Sequence, residues 1–84
     1  MNKINFSELV SKELARVRMK VGPQNSCHEG YAILLEEVDE LWDEVKKKRS
    51  MRDPQAMLAE LVQIGSCAQK MVEDVIIPMI DEKS

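Results

Sequence analysis

The sequence predicts an all-α fold: a long helical hairpin preceded by a shorter N-terminal helix. Three observations carry this. Apolar residues recur at three- and four-residue spacing along most of the chain, strand-type alternation is absent, and each periodic run opens on a helix-start pattern. Only three glycines and three prolines punctuate the 84 residues, and Gly65 lies inside a periodic run rather than between runs.

The first helix is expected over residues 7–21. Asn5 with Glu8 can form a capping box, and Val10, Leu14, Val17 and Val21 share one face. Gly22-Pro23 ends it, and Asn25 and Ser26 are turn formers. Ser26 with Glu29 is a second capping box, so the next helix is expected from there to about residue 48. Tyr31, Leu34, Leu35, Val38, Leu41, Trp42 and Val45 give it a wide apolar arc. Asp53 can cap the third helix, with Pro54 at its first position. Leu58, Leu61, Val62, Gly65, Ala68, Val72, Val75 and Ile76 line one face, and Gly65 and Ala68 allow close approach of another helix. Pro78 is expected to end or kink this helix, and residues 81–84 to fray.

The second and third helices are joined by about four residues, which sets them antiparallel. Their apolar arcs are too wide for one partner each. Two such hairpins packed face to face make a four-helix bundle, so a homodimer or homotetramer is expected. Chain length points the same way. Residues 1–84 make one domain, and a domain of this size buries only roughly 60 % of its unfolded surface, which stabilises it marginally without a partner, metal or disulfide.

Composition narrows the function classes. A hydrophobic content of 44 % excludes a disordered chain, and a net charge of −3 argues against a nucleic-acid binder. The basic run Lys46, Lys47, Lys48 and Arg49 falls where a helix should end and complements its dipole, with phosphate binding as the alternative reading. Two cysteines, Cys27 and Cys67, are no disulfide framework. No secretory pattern is visible, and the apolar stretch 75–80 is too short to span a bilayer. A cytoplasmic protein with reduced thiols and no membrane association is the expectation.

The chemistry lies in the acids. With Leu34 at 0° on the helical wheel, Glu37, Glu44 and Glu40 fall at about −60°, −80° and −120°, bordering the apolar arc. Glu36, Asp39 and Asp43 face away at about 140° to 200°. A solvated acidic face explains the second set. The first lies where a packed helix would desolvate it. On the third helix Glu60 also borders the apolar face, with Gln63 and Cys67 beside it. In an antiparallel hairpin Glu37 and Glu40 can meet Glu60 and Gln63 across a groove. Carboxylates gathered against low-dielectric walls repel one another unless a cation balances them, and hard oxygen ligands suit Mg²⁺ or Mn²⁺. Mg²⁺ so held keeps water and takes substrate phosphate.

Glu36-Glu37-Val38-Asp39-Glu40, followed twenty positions later by Glu60-Leu61-Val62-Gln63, resembles the MazG-like all-α nucleotide pyrophosphohydrolases. Their pattern is Glu-Glu-x-x-Glu, a spacer, then Glu-x-x-Asp. The stretch from His28-Glu29-Gly30-Tyr31 to Trp42 is similar to small members carried by phages and other mobile elements. The resemblance covers about residues 26–74. It implies an Mg²⁺-dependent enzyme that cleaves a nucleoside triphosphate between its α and β phosphates. Glu37, Glu40 and Glu60 would be metal ligands, with Gln63 completing the set. One of these carboxylates, or Glu44, would orient the attacking water. Lys70 would lie near the phosphates. Gln63 departs from the family's Asp: its carbonyl can still coordinate Mg²⁺, but with one charge fewer metal affinity falls. The alternative is therefore a non-catalytic helical oligomer of the same fold that binds a nucleotide or a protein.

Other residues point elsewhere. One histidine, His28, and two distant cysteines make no zinc set, and no Ser-His-acid arrangement or glycine-rich phosphate loop is present. Carboxylates near Cys67 should make it a poor nucleophile. Trp42 is expected in the core or a dimer interface, while Tyr31 and Phe6 are candidates to line a nucleotide pocket. A coiled-coil adaptor would need only a narrow apolar seam, which these arcs exceed.

Overall fold

The computed structural model describes residues 3–83, and their regular structure is helical, with no strand among the described residues. Asn5 Oδ1 accepts the Glu8 N–H at 3.1 Å and starts α1, Phe6–Arg18. Ser26 Oγ accepts the Glu29 N–H at 3.1 Å and starts α2, Cys27–Val45. Asp53 accepts the Gln55 N–H at 2.9 Å, Pro54 takes the first turn, and α3 runs Pro54–Met71. All three starts follow from side chains that satisfy the orphan N–H groups of a first turn.

The helix ends differ from the sequence expectation. α1 stops at Arg18 because Lys20 and Val21 both donate to the Val17 carbonyl, at 2.9 and 2.8 Å, which tightens the chain into the Gly22-Pro23 loop. α2 stops at Val45 rather than near residue 48. Arg52 Nε donates to the carbonyls of Val45 and Lys47 at 2.9 and 3.1 Å, and caps that end from across the loop. A short 3₁₀ turn, Arg49–Met51, follows. The basic run folds back on α2's own acids, Lys46 on Asp43 and Lys47 on Glu44.

Pro78 does not end the helix. A π-helical turn, Val72–Ile76, precedes it, closed by the Ile77 N–H on the Val72 carbonyl, and helix α4 continues over Ile77–Lys83. A proline ring clashes with the carbonyl four residues earlier in a regular α-helix, and widening the turn relieves that clash. Residues 81–83 of the expected frayed tail are helical, and Ser84 lies outside the described residues.

α3 is the central element. α1 and α2 each pack on it and not on one another. α1 crosses at Gly65, where an added Cβ would lie 2.8 Å from Val10 Cγ2. α2 approaches at Gly30, where a Cβ would meet Gln24 Oε1 at 2.7 Å and Met71 Cγ at 2.8 Å. α2 meets α3 on the face that carries this second contact. Its buried and half-buried residues, Ile33, Gly30, Glu37, Leu41, Leu34 and Val45 among them, occupy about −100° to +20° of the wheel. The rest of its apolar arc stays outside: Val38, Tyr31, Trp42 and Leu35, at about 40° to 100°. Among the described residues, only Val10, Leu14 and Val75 are buried apolar residues, and no side chain is completely buried.

A polar knot ties the α1–α2 loop to α3. Lys70, 4 % exposed, donates from Nζ to the Gly22 carbonyl at 2.7 Å and to Asp74 Oδ2 at 2.8 Å. Asp74 also accepts from the Gln24 N–H at 2.9 Å and from Arg18 at 3.0 Å. Although burial opposes ionisation, these donors, Lys70 first, hold its carboxyl down at about 2. Removing one partner of such a buried pair leaves an uncompensated charge. Lys70→Ala is therefore expected to lower the unfolding free energy by about 3 kcal/mol, measured by urea denaturation. A loss below about 0.5 kcal/mol would show that the knot does not hold the loop.

Candidate metal centre

Glu37 and Glu40 stand one turn apart on α2, and Glu60 comes from the first half of α3. The hairpin brings one carboxylate oxygen of each within 4.8 Å of the other two. Glu37 and Glu60 are half-buried and Glu40 is exposed, so the set has two inner acids and one at the rim. Glu37 Oε2 and Glu60 Oε2 are both buried and neither accepts a hydrogen bond. Buried carboxylate oxygens are rarely left without a partner, because losing water without replacement is costly.

The electrostatics follow. Burial pushes the Glu37 carboxyl up to about 7, reinforced by hydrogen bonding to Glu40 and by the charges of Glu40, Glu60 and Glu36. Glu60 is raised by burial first, then by Glu40 and by the charge of Glu44. Among the described residues, no cationic side chain pairs with Glu37, Glu40 or Glu60. A cluster of three carboxylates, two of which carry a buried oxygen without a hydrogen-bond donor, fits a hard divalent cation.

The other expected site residues lie at different distances from this centre. Glu44, one turn past Glu40, is paired with Lys47 at 2.9 Å. Gln63, one turn past Glu60, donates its Nε2–H to Glu13 on α1. Lys70 is engaged in the polar knot, which accounts for its ammonium within the fold. Glu36, Asp39 and Asp43 are exposed, as the wheel requires. Tyr31 and Trp42 are exposed too, and Phe6 lies against Gly65.

Glu13 was not legible in the sequence. Arg16 grips it through two hydrogen bonds, at 2.8 and 2.6 Å. That grip holds its carboxyl below the usual range against the opposing effect of burial, and the Gln63 amide adds to it. Its i, i+3 spacing to Arg16 was the only sequence signal, and that spacing is common on solvated helices. Glu60, Gln63 and Cys67 form one stripe along α3, with Glu37 and Glu40 near one flank and Glu13 near the other. The Cys67 thiol registers both flanks: burial raises it first, then the charges of Glu37, Glu13 and Glu40. Cys27 and Cys67 are both free thiols.

Comparison with known proteins found no match to a family model, a curated protein or a solved structure.

Both inner acids hold their protons more tightly in the folded chain than in the unfolded one. Stability without metal should therefore be highest near the unfolded carboxylate value of 4.5 and fall as pH rises to about 7. The opposite trend from Asp74 lies lower, between 3.8 and about 2. Glu37→Gln should remove much of the fall, seen as a smaller drop in Tm between pH ~5 and pH ~8 in chelator. An identical drop in parent and variant would mean that Glu37 is not desolvated.

Proposed function

We propose that this chain is an Mg²⁺- or Mn²⁺-dependent nucleoside triphosphate pyrophosphohydrolase that cleaves between the α and β phosphates and works as a homodimer or homotetramer. The observation that carries the reading is the pair of buried, donorless oxygens of Glu37 and Glu60 in a three-carboxylate cluster. Glu37, Glu40 and Glu60 hold the cation, with Gln63 beside them. When bound, the cation neutralises phosphate charge and polarises the attacking water. One of these carboxylates would orient that water, or Glu44, one turn beyond Glu40, on release from Lys47, which holds both of its oxygens. The rim position of Glu40 leaves the open side of the cluster to substrate phosphate.

Mg²⁺-dependent release of pyrophosphate from a nucleoside triphosphate panel tests this. Glu40→Ala and Glu60→Ala should each lower kcat/KM at least about 100-fold, as loss of a ligand or charge-stabilising group does. Turnover that survives both substitutions rules out this centre.

A second reading, a non-catalytic oligomer of the same fold that binds nucleotide or protein, is favoured by one observation: Gln63 brings no charge and is tied to Glu13. It predicts metal or nucleotide binding without turnover in the same assay.

The oligomer rests on surface area. The chain exposes 6366 Å², whereas a folded monomer of 9.6 kDa exposes about 5,100 Å². The excess, roughly 1,300 Å², exceeds the ~800 Å² each partner covers in an ordinary stable interface. Tyr31, Leu35, Val38 and Trp42 form one exposed apolar stripe on α2, with Leu61 exposed on α3 and Val72 in the π turn that follows it. A second copy covers this stripe in the proposed four-helix bundle. Sedimentation equilibrium should give at least a dimer for the parent and a shift toward monomer for Trp42→Asp. A monomeric parent at micromolar concentration would refute the assembly.

A further inference from the structure

We propose that Glu13 is a positioning residue for the metal centre: by accepting the Gln63 Nε2–H, it leaves the Gln63 carbonyl oxygen as the atom offered beside Glu60. This inference rests on the metal reading above and adds a residue from a helix that the motif does not include.

A carboxamide presents two chemically opposite ends. Its oxygen can coordinate a cation, and its NH₂ group repels one. Side-chain amides rotate between the two settings unless a neighbour decides. Here the neighbour is Glu13, an acceptor with no hydrogen to give when ionised, so only the nitrogen end of Gln63 can face it. The planar amide then turns Oε1 away from Glu13. Gln63 follows Glu60 at i+3 on α3, so the two side chains are neighbours on one stripe.

Glu13 is not itself free to be the missing ligand. Arg16 Nε holds Oε1 at 2.8 Å, and Arg16 Nη2 holds Oε2 at 2.6 Å, where Gln63 also donates. Both carboxylate oxygens are thus occupied by donors. The side chain of Glu13 is 13 % exposed, so water competes little for the Gln63 amide. Ligand-orienting partners of this kind typically change metal affinity by about 10- to 100-fold when removed.

The test is Mn²⁺ titration of the full chain, followed by loss of the free-ion electron paramagnetic resonance signal, with thermal melts as a check on folding. Glu13→Leu removes the acceptor and should weaken Mn²⁺ at least about tenfold. Glu13→Gln removes the charge but keeps an oxygen that can accept from Gln63, and should bind within a few-fold of the parent. Equal losses in the two variants would overturn the inference, because charge rather than orientation would then be the cause. No loss in Glu13→Leu would overturn it too, and would leave the metal reading standing. A parent that binds no Mn²⁺ would remove the metal reading and this inference with it. If Glu13→Leu does not fold, the exchange decides. Gln63→Glu alone sets two carboxylates face to face, and Glu13→Gln added to it restores a donor to the pair. The double variant should bind Mn²⁺ more tightly than Gln63→Glu alone, and equal binding would overturn the proposal.

Discussion

The buried ion pair between Lys70 and Asp74 sets a sequence of consequences that reaches the acidic cluster. Asp74 accepts the Gln24 N–H and Lys70 holds the Gly22 carbonyl, so the α1–α2 loop is fixed against α3. With its backbone held, Gln24 packs its side chain on Gly30, and Met71 packs there beside it. A Cβ at this contact would require Gln24 and Met71 to shift, so Gly30 is the point of close approach between α2 and α3. α2 is turned toward its glutamates. Glu37 enters the seam while Tyr31 and Trp42 remain outside, the reverse of what hydrophobicity alone would choose. A buried pair of this kind adds little net stability over an apolar replacement, and its use here is to specify one arrangement of helices.

Asp74 and Glu37 show how environment divides one type of group. Asp74 is met by a lysine, an arginine and a backbone N–H, and its carboxyl stays ionised down to about 2. Glu37 is desolvated among other acids, has no donor on Oε2, and holds its proton up to about 7. The fold satisfies the first completely and leaves the second for something else to satisfy. A chain with so little buried apolar surface has little stability to set against unpaired desolvated acids. That imbalance supports the reading of the cluster as a cation site better than the reading of a solvated acidic face.

Local chemistry made most of the fold legible in the sequence. The capping residues Asn5, Ser26 and Asp53 act within three residues of themselves, and each helix starts where they indicate. The ends were less legible because their determinants are distant. Arg52 reaches back seven residues to cap α2, and Pro78 is accommodated by a π turn whose closing bond begins at Val72. For the site, the wheel placed Glu37, Glu40 and Glu60 at the edge of the apolar faces, and the hairpin brings them together. Glu13 lies fifty residues from Gln63, and no periodicity connects them. Lys70 read as a polar residue within reach of a substrate. Asp74, four residues on, was the available sign of an internal partner.

The rotation of α2 also separates its two tasks. The seam with α3 occupies the middle of the helix. The acidic stripe overlaps one edge of it, with Glu37 inside and Glu40 just beyond at about −120°, and the bare apolar stripe lies past the other edge, at about 40° to 100°. A second copy seated on Tyr31, Leu35, Val38 and Trp42 therefore approaches from the flank opposite Glu40, the acid open to solvent. The three carboxylates are already assembled within one chain, so the proposed partner supplies no ligand of that set. Its contribution is to cover the apolar arc, which removes the force that would otherwise roll α2 back toward burying Trp42 and expelling Glu37. In this reading, assembly and cation binding stabilise the same rotation of one helix from opposite sides.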